Sequence, residues 1–344
     1  MKALRLFGAG DIRLVDEPEP VPGPGEVLLL VVSVGLCGSD LTWFSSSAIG
    51  SATLDHPLIL GHEFSAKALT GRFAGQLVAV DPAIPCNHCR HCIEGNPNFC
   101  EATRFAGHAP DDGALRERIA WPEELLHPLP NGLSPEDGVM LEPLGVAIHA
   151  MDLGKIRVGD KVGVFGCGPI GLLMVQLAMA SGASKVLATE PLDHRRDLAE
   201  TFGARPSAAR NKAEITPVIE ADFKGGLDVA FEIAGDNDAV EAAIRSLRPG
   251  GKLILGGIPR DDRTSFCASE ARRKGLTIKL VRRMKHTYPR AIELVASDKV
   301  DVANLVSHTF PLDEATLAFE VAAARQGHKI CITPTPWPPD QKRT

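Results

Sequence analysis

The sequence predicts an α/β protein in two parts, a strand-rich first part followed by a doubly wound parallel sheet. Three observations carry this reading. Val27 to Val34 (VLLLVVSV) is a strongly β-type run bounded by Pro22-Gly23-Pro24-Gly25, and turn signals recur at Gly35, Gly38, Gly61, Gly71 and Gly75. From Lys161 onward, short apolar strands alternate with helical segments, the pattern of βα units with helices on both faces of a sheet. The hexapeptide Gly166-Cys167-Gly168-Pro169-Ile170-Gly171 lies at the first strand-to-helix turn of that series.

Taken in order, residues up to about 140 read as mostly strands with few helices. Lys161–Phe165 then reads as a strand and Pro169–Ser181 as a helix, with Pro169 suited to its first turn. A strand at Lys185–Thr189 and a helix at Asp193–Phe202 follow, then a strand at Leu227–Phe231, a helix at Asp238–Leu247 and a strand at Lys252–Leu255. From Tyr288 a helix (Arg290–Ser297) and a strand-like piece (Lys329–Ile332) read as a return to the first part, and the proline-rich tail from Pro334 as loosely held.

Length and composition narrow the classes. A chain of 344 residues fits two domains and a sizeable core. No run approaches the ~20 apolar residues of a membrane helix, and the start of the chain lacks the apolar core of a signal peptide, so a cytoplasmic protein without a membrane partner is expected. A net charge of −6 argues against nucleic acid as the main partner. The stretch Arg272–Arg290, with eight Lys/Arg and no acid, is the feature that speaks for a non-catalytic nucleotide-sensing or nucleic-acid-binding protein; a solvated or cofactor-facing surface fits the acidic remainder better.

In the glycine loop, Gly166 allows the tight turn, Gly168 lets backbone approach a pyrophosphate, and Gly171 lets the helix pack close to the strand. The helix N-terminus offers amides and positive dipole to phosphate. Glu190, nineteen residues beyond Gly171, is placed to accept from a ribose 2′-hydroxyl and to repel a 2′-phosphate, which favours NAD over NADP. Arg195 and Arg196 are the cations that could meet a 2′-phosphate.

Cys86, Cys89, Cys92 and Cys100 supply four thiolates within 15 residues, which suits a closed, structural zinc site. The seven-residue last gap and the following Glu101 depart from the bacterial ferredoxin run. His88 and His91 read as exposed spacers. Cys37, His62 and Glu63 form a second, mixed donor set that leaves a fourth position open, the pattern of a catalytic zinc site. Glu142, in Leu-Glu-Pro-Leu-Gly, is either a further ligand or the holder of a zinc-bound water.

Together, Gly-Leu-Cys37-Gly-Ser-Asp, Gly-His62-Glu63, the four-cysteine lobe, Glu142-Pro143-Leu144 and the glycine loop resemble the zinc-dependent medium-chain dehydrogenase/reductase superfamily over nearly the whole chain. Glu142-Pro143-Leu144 and His286-Thr-Tyr-Pro-Arg-Ala291 resemble its sorbitol/xylitol (polyol) dehydrogenase branch. The resemblance implies a GroES-like β-barrel catalytic domain at 1–150, completed by 287–344, a Rossmann NAD-binding domain at 151–286, and an active site in the cleft. It also implies NAD-linked oxidation of a secondary hydroxyl of a polyol or related alcohol, and assembly as a homodimer or homotetramer. By the same resemblance Ser39 passes the substrate proton, Arg195 is the basic position beside the adenine, and Arg283 contacts the polyol. Three departures stand out. Thr42 replaces the relay histidine, Met284 replaces the tyrosine after the substrate-contacting arginine, and residues 64–80 form a short connection. His108 is a candidate specificity residue. An L-threonine-type or sugar dehydrogenase is the alternative within the superfamily; intact zinc motifs count against a zinc-free quinone or enoyl reductase.

Overall fold

The computed structural model describes residues 1–337; residues 338–344, the end of the proline-rich tail, lie outside the described residues. Along the chain the principal elements are β1 (Lys2–Gly8), β2 (Asp11–Asp16), β3 (Glu26–Gly35), α1 (Gly38–Ser46), β4 (Glu63–Ala68), β5 (Leu77–Val80), β6 (Arg118–Pro122) and α2 (Pro135–Gly154). There follow β7 (Lys161–Phe165), α3 (Pro169–Ala180), β8 (Lys185–Thr189), α4 (Asp193–Thr201), β9 (Arg205–Ser207), α5 (Lys212–Asp222), β10 (Leu227–Glu232), α6 (Asn237–Ser246), β11 (Leu247–Leu255), α7 (Ala268–Lys274) and β12 (Thr277–Leu280). The chain closes with α8 (Tyr288–Ala296), β13 (Val306–Pro311), α9 (Ala315–Ala323) and β14 (Lys329–Thr333).

Two compact units result. The first is Met1–Pro143, Tyr288–Ser297 and Val302 onward; the second is Leu144–Thr287 with Asp298–Asp301. The expected junction at residue 150 falls inside α2, which runs unbroken past the division at Pro143. A proline is tolerated there at the cost of one helical hydrogen bond.

In the first unit, a seven-stranded sheet runs from a short edge strand at Leu126–Pro128 through β5, β4, β3, β14 and β13, with β6 also on β3, and β1 and β2 form part of a separate three-stranded sheet. β3 is the hub, antiparallel to β4, β6 and β14. Its alternate residues Val27, Leu29 and Val31 are buried, and they join Ile59, Phe64, Trp121 and Phe319 in one core. β4 pairs directly with β5, so the short 64–80 connection folds as a simple antiparallel pair.

In the second unit, six parallel strands take the order β9-β8-β7-β10-β11-β12. The order reverses direction between β7 and β10, the switch point outside which such sheets bind dinucleotides. Phe165, Leu187, Phe223, Leu227 and Leu253 fill this core. The sequence reading located the strands of this sheet with regular apolar runs but passed over β9, α5, α7 and β12. Arg205–Ser207 carries a proline and a charge, α5 carries Pro217, and Thr277–Leu280 is only half-buried, so their local signals are weak.

Candidate active site

Cys37 caps the N-terminus of α1 just beyond β3, Glu63 begins β4 and His62 immediately precedes it. The antiparallel register places Gly35 opposite Glu63 and so joins the two segments. One donor atom from each of Cys37, His62 and Glu63 lies within 4.8 Å of the others. A side chain at Gly35 would run into the Glu63 carboxylate, with its Cβ 2.5 Å from Oε2, so glycine there leaves room for the ligand set. His62 and Glu63 are 6% and 1% exposed. A thiolate, an imidazole and a carboxylate converging, the last two buried, are a donor set that fits zinc.

Two charged residues brace this set. Asp40, fully buried, accepts from the Cys37 amide at 2.9 Å and from the Gly61 amide at 3.2 Å, and its Oδ1 stands 3.6 Å from His62 Nδ1. Burial disfavours a charged His62, but the Asp40 carboxylate outweighs it and raises the histidine pKa well above its ordinary value. A carboxylate beside the ring orients the imidazole by charge, the kind of support that metal-ligating histidines receive from neighbouring acids. Lys329 on β14, 2% exposed, is ion-paired with Glu63 Oε2 and donates to the Leu36 carbonyl at 3.1 Å. Burial lowers the Lys329 pKa, and the Glu63 carboxylate more than restores it. Glu142 on α2 interacts with His62 and Glu63 without belonging to the mutually convergent set. Burial pushes its carboxyl up to about 7.

The second donor set is local in the chain. One sulfur from each of Cys86, Cys89, Cys92 and Cys100 lies within 4.8 Å of the others. The Cys86 amide donates to the Cys100 sulfur and the Cys89 amide to the Cys86 sulfur, both at 3.3 Å, the geometry that stabilises thiolates. Burial would raise Cys100, but the Cys86 and Ala102 amides and the Thr103 hydroxyl bring it down to about 6. His88 is exposed, as expected; His91 is half-buried with its ring 6.0 Å from that of Phe99, so it packs rather than merely spaces.

In the second unit, the glycine loop turns from β7 into α3. Gly166 has φ +99°, and a Cβ there would lie 2.8 Å from the Ala234 amide; one on Gly171 would overlap the Gly166 carbonyl. Gly168 faces open space, with only Arg195 Nη1 near a Cβ position, at 3.9 Å. The loop is therefore a backbone cradle with room for phosphate and a cation beside it. Pro169 and Ile170 open the helix. Glu190 is 5% exposed and accepts from the Cys167 amide at 2.9 Å and the Leu192 amide at 3.2 Å, which ties the acid to the glycine loop. Arg196 donates to the carbonyls of Glu190 and Pro191 at 2.9 and 2.7 Å.

Residues 23–131 match the alcohol dehydrogenase GroES-like domain and residues 169–297 the zinc-binding dehydrogenase domain. The D-xylulose reductase A of Aspergillus niger is 34% identical, with 95% of each chain covered. The chain belongs to the zinc-dependent medium-chain dehydrogenase/reductase family. It is an oxidoreductase that uses zinc and a nicotinamide cofactor. Among solved structures, the dehydrogenase resembles 2R,3R-butanediol dehydrogenase of Bacillus subtilis (29% identity, TM-score 0.87, 97% and 99% of the two chains). It also resembles galactitol-1-phosphate dehydrogenase of Escherichia coli (27%, 0.86, 97% and 100%).

The remaining candidates sit around these centres in different ways. Ser39 is half-buried on the first turn of α1. Thr42, one turn on and exposed, already donates its hydroxyl proton to the Gly38 carbonyl at 3.0 Å. His108 is half-buried and meets buried Trp43 edge-on at 5.6 Å. Arg283 lies in the connection after β12, at φ +53°, and the neighbouring Met284 sulfur packs at Gly145 of α2. Asp40 and Lys329 were not singled out from the sequence. Asp40 had a local signal, as an acid three residues beyond a helix-capping Cys37. Lys329 had none, since a lysine in an apolar strand is legible as a partner only when its acid is known.

Proposed function

We propose that this dehydrogenase oxidises a secondary hydroxyl of a polyol or related alcohol to the ketone, with NAD in preference to NADP. The observation that carries the reading is the convergent Cys37–His62–Glu63 set, with His62 and Glu63 buried and braced by Asp40 and Lys329. Bound by these residues, zinc would supply a Lewis acid for the substrate hydroxyl, and nicotinamide bound at the glycine loop a hydride acceptor. The protein's own groups do the rest. Ser39 takes the hydroxyl proton. Thr42, its proton committed to Gly38, offers the next acceptor oxygen. Glu142, outside the convergent ligand set, holds a water or a proton beside His62 rather than serving as a fixed ligand. Cys86, Cys89, Cys92 and Cys100 hold a second, structural zinc.

NAD over NADP is supported by Glu190, already oriented by two amides, and by Arg196, whose guanidinium is engaged with local carbonyls. Arg283 is assigned to the polyol by its match to the polyol branch, and the xylulose reductase relatives support a sugar-alcohol substrate. Eight cysteines with no disulfide among the described residues fit a compartment that keeps thiols reduced, which supports a cytoplasmic location. β12 pairs with β11 alone among the described strands and exposes Leu280, so a second copy is the expected partner along that edge. Among the described residues no helix is long and apolar enough to cross a membrane.

The test is NADH formation by zinc-replete protein with NAD or NADP against polyols, simple secondary alcohols, aldoses and threonine, with zinc counted in the same sample. Two zincs per chain and turnover with polyols are expected. Turnover confined to threonine or aldoses would move the enzyme to the alternative branch, and a Cys37→Ala variant with near wild-type activity would refute the zinc chemistry.

A further inference from the structure

Glu232 is the last residue of β10 and is 2% exposed. It stands beside the switch point, yet nothing in the chemistry above uses it. Its Oε1 accepts from the Gly235 amide at 2.7 Å and more weakly from the Asp236 amide at 3.4 Å, and its main-chain carbonyl accepts from Gly256 and Gly257 at 2.8 and 3.0 Å. A Cβ on Gly257 would lie 2.8 Å from Glu232 Oε2, so the loop after β11 is drawn against this carboxyl. On the other side, the amides of Ile233 and Ala234 both donate to the Phe165 carbonyl, at 2.8 and 3.1 Å, just before the glycine loop. The buried carboxyl thus holds the loop after β10, the main-chain carbonyl of the same residue holds the loop after β11 packed against that carboxyl, and the adjoining backbone is bonded to the end of β7. Burial pushes this carboxyl up to about 7 despite the amides that favour its charge, so the fold retains an acid here at a cost.

In a doubly wound sheet each βαβαβ half binds one mononucleotide, and β10, β11 and β12 form the second half. We propose that the Glu232 carboxyl is a positioning group for the nicotinamide half of the dinucleotide, acting through the loop at 233–236 that it bonds and the loop at 256–258 that packs against it. The proposal rests on the NAD reading above.

The experiment titrates NADH and, separately, AMP, which reports on the first half alone, by fluorescence and calorimetry. Wild type is compared with Glu232→Ala, which removes the acceptor, Glu232→Gln, which keeps one, and Glu232→Asp, which pulls the carboxylate back by one methylene. Expected is a tenfold or greater rise in the NADH dissociation constant for Glu232→Ala or Glu232→Asp, a change under twofold for AMP, and recovery to within threefold of wild type in Glu232→Gln. Equal weakening of AMP and NADH, or a lowered melting temperature with unchanged NADH affinity, would overturn the assignment as mere structural support. If Glu232→Ala does not fold, Glu232→Asp decides by the same comparison. Wild-type protein that binds AMP but not NADH would refute the NAD reading itself, and the role of Glu232 with it.

Discussion

Replacing Lys329 by methionine isolates the buried charge behind the candidate zinc ligands. Both Lys329 and Glu63 side chains are 2% exposed, and the lysine also holds the Leu36 carbonyl at 3.1 Å, one residue before Cys37. Removing one partner of a buried pair leaves the other charge uncompensated, a loss of about 3–5 kcal/mol. At roughly 2–4 °C per kcal/mol for a unit of this size, metal-free Lys329→Met should melt about 6–20 °C lower than metal-free wild type. A dication held by Glu63 replaces much of the missing positive charge, so the zinc-loaded variant should lose less than half as much. The double variant Lys329→Met/Glu63→Gln removes both charges and should recover most of the metal-free loss. The assay is circular-dichroism melting with and without chelator, with zinc affinity measured by competition against a chromophoric chelator. A metal-free loss below about 1 kcal/mol, or a double variant no better than the single, would refute the argument that the two buried charges compensate each other.

Two further outcomes follow from the same structure. Glu190→Ala leaves the amides of Cys167 and Leu192 without their acceptor; at about 1.5–3 kcal/mol for a hydrogen bond to a charged group, NAD affinity should fall at least tenfold and the NAD-to-NADP preference should narrow, as read from kcat/KM ratios. His127 is stacked on Tyr288, with ring centroids 4.3 Å apart, and burial lowers its pKa to about 4. The folded chain then resists a proton that the unfolded chain accepts near pH 6.5, so this contribution is present above pH 6.5 and is lost as pH falls toward 4, by roughly 3 kcal/mol at most. His127→Phe keeps the stack and should flatten that acid limb in urea melts at pH 4.5 and 7; an unchanged limb would show that His127 does not titrate as buried.

The sequence by itself determined what is encoded over short spans. The second sheet was legible because Lys161–Phe165, Lys185–Thr189 and Leu227–Glu232 are buried runs whose apolar character owes nothing to distant residues. The glycine loop was legible for a similar reason: Gly166, Gly168 and Gly171 answer to backbone sterics within one turn. The four-cysteine lobe likewise spans only 15 residues.

Tertiary structure alone decided the surroundings of Glu63. Its approach to Cys37 depends on the β3–β4 register, and its pairing with Lys329 joins residues 266 apart in sequence. It also separated Glu142 from the three convergent donors. Side-chain chemistry names the groups a site can use, but a residue's charge state and partner depend on what the folded chain brings within a few ångströms of it, and strand register and burial set that over distances no local pattern spans.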